Sequence, residues 1–151
     1  MPVYGKEEHD REMAEKAAAT IPADLAPFSL PERFASEDRD GFAKGVTAFR
    51  DGDFYLAHDL WEAVWHSYSP GDRRFLQGLI HIAVGAYHLQ CGNRKGCRSQ
   101  FRKAADKIGP FAPRHWGVDV ERVLEGIRAA DPGADGDLHP ELQLKHLKGV
   151  I

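Results

Sequence analysis

The sequence predicts an all-α protein, and three observations predict it. Apolar residues recur at helical spacing in successive segments, as at Phe42, Val46 and Phe49. Short stop-and-start pairs separate those segments: Gly52-Asp53, Ser69-Pro70 and Gly92-Asn93. No two stretches alternate in the manner of paired strands. The expected architecture is a compact bundle of five or six helices, made of antiparallel hairpins with tetratricopeptide-like packing.

Residues 6–21 are rich in alanine and charge, with Met13, Ala17 and Ile21 as a thin apolar edge. They predict a helix that Pro22 ends, because proline lacks the backbone donor a helix interior needs. Pro22, Pro27 and Pro31 punctuate the next stretch, whose Leu25, Phe28 and Leu30 are expected to lie along the core. From about Glu37 the helical period sets in. Gly52 reads as the left-handed residue that closes that helix, and Asp53 as the cap of the next, over Phe54 to about Tyr68. Ser69 repeats the cap, and Pro70 stands at the first helical position, where its missing N–H costs nothing.

The central helix so launched runs to about Cys91 and is apolar nearly all round from Phe75 to Leu89, as a helix in the middle of a domain must be. Gly92-Asn93 then opens a helix from Arg94 to about Ile108, closed by Gly109-Pro110. An irregular stretch with Pro113, His115 and Trp116 precedes a last regular helix over 118–131, marked by Val120, Val123, Leu124 and Ile127. Beyond Asp131-Pro132-Gly133 the tail is turn-rich, then alternates weakly through Leu138, Leu142, Leu144 and Leu147. Such a tail is expected to lie over the core of its own or a neighbouring subunit. The whole is read as one domain over 1–151, with its core at 38–108 and the helices 6–21 and 118–131 plus the tail packing on it.

Two segments share a template forty residues apart. Gly52, Asp53, Ala57, Trp61 and Val64 line up with Gly92, Asn93, Cys97, Phe101 and Ala104. A small residue lets two helices approach and an aromatic knob follows one turn on, as in the second helix of a tetratricopeptide unit. Two copies fall short of the roughly three that a solenoid needs, so the template predicts helical hairpins packed side by side.

A chain of 151 residues can bury roughly 70% of its unfolded surface. Its 42% hydrophobic and 28% charged residues are those of an ordinary globular protein, and a net charge of -3 selects no partner by itself. No apolar run approaches the roughly eighteen residues of a membrane span. The charged start, Lys6-Glu7-Glu8-His9-Asp10, lacks a signal peptide's apolar region, so the cytoplasm is the expected location. Cys91 and Cys97 have no second cysteine pair and are read as reduced helix residues. Arg94, Arg98 and Arg102 fall four apart as a basic ridge along which a phosphate-rich partner could lie. No aromatic residues interleave with these bases, so the ridge is read as a solvated face balanced by the acidic N-terminal region, and nucleic acid is not expected.

The chemistry-bearing residues concentrate in the middle. His58, Glu62 and Trp65 are four and three apart and project from one helix face, while Gln77, His81 and His88 form a polar stripe on the central helix. If those helices are antiparallel neighbours, a carboxylate and several imidazoles meet within an apolar core. Trp61, Trp65, Gln77, His81 and Tyr87 would line the pocket. Three arrangements need such residues. His58, Glu62 and His88 could bind a divalent metal such as zinc, with His81 as a fourth ligand. Glu62 could tune His58 as a general base, a carboxylate raising and burial lowering an imidazole's pKa. Or these groups satisfy one another's hydrogen bonds and fix the helix register.

His58-x3-Glu62-x2-Trp65 preceded by Phe49-x2-Gly52, then Phe75-Leu76-Gln77-Gly78-Leu79-Ile80, Tyr87-His88 and Gly92-Asn93, together resemble the bacterial and archaeal domain of unknown function 309. The resemblance covers about Phe42 to Ile108 and implies an all-α domain without an assigned biochemical role. The positions it matches are His58, Glu62, Trp65, Gln77, Gly78, His88, Gly92 and Asn93. Asp59 stands where such proteins often have Glu, and His81 where Gln is usual.

The expected function is non-catalytic binding of a small molecule or protein partner through a buried His/Glu/Trp cluster, with no cofactor. The alternative is a small metal-assisted or general-base hydrolase using His58, Glu62 and His88. A homodimer is expected, through the outer side of the last helix or the leucine-bearing tail. No phosphate loop, nucleophile triad or dinucleotide fingerprint is visible.

Overall fold

A computed structural model of the chain describes residues 36–65 and 70–151. The helix expected over 6–21, the proline-punctuated stretch after it and the Ser69 cap lie outside these residues. Among the described residues six α-helices make up an all-α bundle: α1 (Ser36–Arg50), α2 (Phe54–Trp65), α3 (Pro70–Gln90), α4 (Arg94–Ile108), α5 (Val120–Ala130) and α6 (Pro140–Lys148). A 3-10 turn, Gly109–Phe111, follows α4. Through α4 each helix packs on the next, and α5 packs on α6.

The joints form for the reasons the sequence suggests. Gly52 takes φ 80° and Gly92 φ 77°, conformations that side chains with a Cβ disfavour. At the first joint the Gly52 N–H reaches Phe49 O at 3.0 Å and the Asp53 N–H reaches Ala48 O at 2.9 Å. The second joint repeats this pattern with Gly92 to Leu89 and Asn93 to His88, so both end in the six-to-one bond of a Schellman motif. Asp53 Oδ1 then accepts from Leu56 N at 3.3 Å, and Asn93 Oδ1 from Gly96 N at 2.9 Å.

The forty-residue echo extends into the first helix of each hairpin. A Cβ on Gly45 would run into the Trp61 indole, and one on Gly85 would stand 2.6 Å from two carbons of the Phe101 ring. Each glycine is therefore the seat of the opposing aromatic, and both aromatics are buried with Ala57 and Cys97 beside them. Trp61 Nε1 donates to Phe42 O at 3.2 Å, which satisfies the one polar atom this knob brings inside.

Two features differ from the sequence expectation. The stretch expected to be irregular contains a short antiparallel ribbon, β1 (Arg114–His115) on β2 (Val118–Asp119), pairing Arg114 with Asp119 and His115 with Val118. Trp116 and Gly117 turn it with φ 53° and 77°. Two residues per strand are too few for alternation to show in sequence. Trp116 is buried, with its ring edge-on to Phe42 at 5.7 Å and to Phe75 at 5.2 Å.

The tail is likewise helical, as α6, and folds onto its own chain. Leu144, Leu147 and Ile151 are buried, while Leu142 is 59% exposed. Gly126 of α5 lies under the His146 carbonyl and Val150, and Arg50 Nε donates to Ile151 O at 2.8 Å. One apolar cluster runs from Phe42 in α1 to Ile151. No helix among the described residues is long and apolar enough to cross a membrane.

Candidate functional site

Helix α2 turns Phe54, Ala57, Leu60, Trp61 and Val64 inward. His58, Glu62 and Trp65 each follow one of these buried residues by one position, hence by about 100° round the helix. They stand at the edge of the core face. The side chain of His58 is 21% exposed and that of Glu62 51%, so the cluster expected inside the core sits at its rim. This corrects the buried His/Glu/Trp reading: a carboxylate on that flank keeps its contact with water and avoids the desolvation a core position would impose.

His58 lies between two carboxylates. Its Nε2 is 3.1 Å from Glu62 Oε1, and its Nδ1 is 3.1 Å from Asp59 Oδ1, the latter an ion-pair contact without hydrogen-bond alignment. A neutral imidazole carries a single N–H and can donate to only one of them.

Opposite this trio, α3 and α4 supply the other wall of a pocket of about 290 Å³, lined by His58, Glu62, Trp65, Gln77, Ile80, His81, Val84 and Gln100. The register is set at both ends. Arg73 lies over the Trp65 ring at 5.0 Å, and Tyr87 meets Tyr55 at 5.3 Å, so the segment around residues 77–84 faces His58 and Glu62. Across the α3–α4 contact, His81 Nδ1 lies 2.6 Å from Gln100 Oε1. A carbonyl oxygen accepts, so the proton sits on Nδ1 and Nε2 keeps its lone pair. That Nε2 is buried with no hydrogen-bond partner among the described residues. Burial holds His81 below the ordinary histidine pKa, helped by the charges of Lys107 and Lys103 and opposed by the Gln100 hydrogen bond.

The structure thus brings together five of the sequence-predicted residues: His58, Glu62, Trp65, Gln77 and His81. Three others stand elsewhere. His88 shares the stripe with His81 but lies seven residues on, about 10.5 Å along the axis. Its ring sits over Gly96, with Asn93 Nδ2 3.3 Å from its Nδ1, so the set His58, Glu62 and His88 is not assembled. Among the described residues, the group whose ligand atoms lie within 4.8 Å of one another is His58, Asp59 and Glu62. Trp61 is fully inside the core, and Tyr87 is an exposed neighbour of Tyr55 outside the pocket wall.

Gln100 and Asp59 are the polar residues that sequence reasoning missed. Gln100 gave no signal in the sequence, because its place follows from the seating of Phe101 and Gln100 against Gly85, which only the fold reveals. The basic ridge is also engaged. The Arg94 guanidinium donates to the carbonyls of Pro132, Gly133 and Asp135 at 3.1 Å each and to that of Gly136, and Arg98 Nε is 3.3 Å from Asp131 Oδ1. These two arginines fasten the 131–136 loop.

Fold and pocket together define a small helical-hairpin domain with a rim site built from three consecutive helices. Residues 42–100 match the model of the family described as Domain of unknown function (DUF309). Every residue that lines the pocket falls inside the matched stretch. No curated protein and no solved structure matches the chain.

Proposed function

We propose that this is a non-catalytic binding domain that takes a small polar ligand into the pocket between α2, α3 and α4. The observation that carries the reading is His81 Nε2, an acceptor fixed by Gln100 and buried without a partner among the described residues. Leaving such an acceptor unpaired costs on the order of 1–3 kcal/mol, and a ligand that donates to it recovers that cost. The pocket's size supports a small occupant: about 290 Å³ lies just below the roughly 300–1,000 Å³ of drug-sized ligand sites. Gln77 and Glu62 add polar contacts, and Trp65, Ile80 and Val84 add apolar wall.

The test is side-chain NMR of the purified full chain, titrated with a panel of small amides, diols, ammonium compounds and carboxylates. Some of these are expected to shift the His81 imidazole and Gln100 amide signals. Val84→Phe, which fills the pocket from a half-buried wall position, is expected to abolish the shifts while circular dichroism stays unchanged. Responses that never reach His81 or Gln100, or that persist in the filled variant, overturn the reading.

A further inference from the structure

We infer that this pocket is a divalent transition-metal site, with His58 Nε2 and a Glu62 oxygen from α2 and His81 Nε2 from α3 as its ligands. The inference rests on the reading of the pocket as a binding site and names what enters it. The 3.1 Å between His58 Nε2 and Glu62 Oε1 is the first support. Two donors about 2.1 Å from one ion, at angles between a right angle and tetrahedral, stand about 3.0–3.4 Å apart. A single helical turn therefore already holds a pair of ligand atoms at the separation an ion requires.

The state of the two imidazoles is the second support. A metal-bound histidine gives one nitrogen to the ion and its other N–H to an acceptor that fixes the ring. Gln100 does this for His81, and the Asp59 carboxylate lies 3.1 Å from the Nδ1 of His58, near enough to accept its N–H once the two align. Both Nε2 atoms belong to residues that line one pocket, on helices that face each other in register. His81 is not among the groups already within 4.8 Å of one another, so the site requires its Nε2 to close on the His58–Glu62 pair when the ion binds. Lys103 and Lys107 disfavour positive charge near His81, and the carboxylates of Asp59 and Glu62 offset them. Two nitrogen donors with one oxygen donor suit zinc, cobalt or nickel better than calcium or magnesium, which take oxygen ligands.

The experiment uses the full chain, stripped with a chelator and then given Co2+ or Zn2+ alone. One ion per chain is expected, with visible cobalt absorption, and with zinc-induced imidazole nitrogen shifts at His58 and His81 but none at His88. Glu62→Gln and His81→Phe are expected to abolish binding, and Asp59→Asn to weaken it roughly 10–100-fold. His88→Ala is expected to bind as the wild type does. The imidazole shifts in the wild type decide the matter if a variant fails to fold. Absence of binding, binding that survives both Glu62→Gln and His81→Phe, or a thiolate-to-cobalt band that places the ion at Cys91 overturns the inference. Should polar compounds still shift His81 while the ions do not bind, the metal site falls and the binding pocket stands; silence from both removes both.

Discussion

A half-buried imidazole held below its usual pKa makes the fold sensitive to acid at one residue. Well above the ordinary histidine pKa of 6.5, His81 is neutral whether the chain is folded or not and contributes nothing to pH dependence. As the pH falls through that value the unfolded chain takes up the proton first, so the folded state loses stability until the depressed folded pKa has been passed. His81→Gln removes this titration. Thermal melts between about pH 7.5 and 5 should therefore show the wild type losing more stability on acidification than the variant, and parallel profiles would contradict the burial argument. The two cysteines separate on the same principle. Burial, the largest effect, and the Asp131 charge push the Cys97 thiol up to about 12, whereas Cys91 is exposed. A disulfide reagent should label Cys91 in the native protein and reach Cys97 only on unfolding. Much of the site was legible at this scale, because His58, Glu62 and Trp65 share a face by spacing alone. Angular position is periodic, but position along the axis is not, and so His88 looked equivalent to His81 although it lies two turns farther on. Depth was misjudged for a related reason: one residue's step, about 100°, separates the core face from its rim.

Between helices, the repeated unit makes a sharper demand. Phe101 lies against the bare backbone of Gly85, where a methyl group would come within 2.6 Å of two ring carbons. Gly85→Ala is expected to destabilise the protein by about 1–3 kcal/mol in urea unfolding, the usual cost of overpacking a core. Phe101→Leu in the same chain should recover part of that loss, since the two positions share the space and their effects cannot add. Gly45→Ala should cost at least as much: the Trp61 indole is bulkier, and its Nε1 is tied to Phe42 O. A chain that tolerated both alanines would show that the helices can move apart, and the pocket at their edge would then have no fixed width. The second helix of each unit was legible because its markers, a cap and an aromatic knob, are chemically distinctive. The glycine seats were not, since a lone glycine in a helical pattern gives no sign of what packs against it.

Across the whole molecule, the C-terminal segment closes a ring of contacts that local periodicity could not reveal. Leu144 and Leu147 give α6 only a short buried edge, and the exposed Leu142 between Leu138 and Leu144 makes the pattern look like weak alternation. The better signs were Pro140 at the first turn and Lys145, His146 and Lys148 in the last, where cations complement the helix dipole. What they could not show is the destination. Ile151 returns to Arg50 at the end of α1, a hundred residues away in sequence, and Arg94 of α4 holds the 131–136 loop that leads into α6. The tail and the pocket-bearing helices therefore share one apolar cluster, and they are expected to unfold together. Leu147→Ala removes a fully buried side chain that does not line the pocket and should cost about 2–5 kcal/mol. The side-chain signals of His81 and Gln100 should then disappear in the same lowered transition as those of α6. If the pocket signals outlast the tail as the temperature rises, α6 is an appendage and the hairpins around His58 and His81 stand without it.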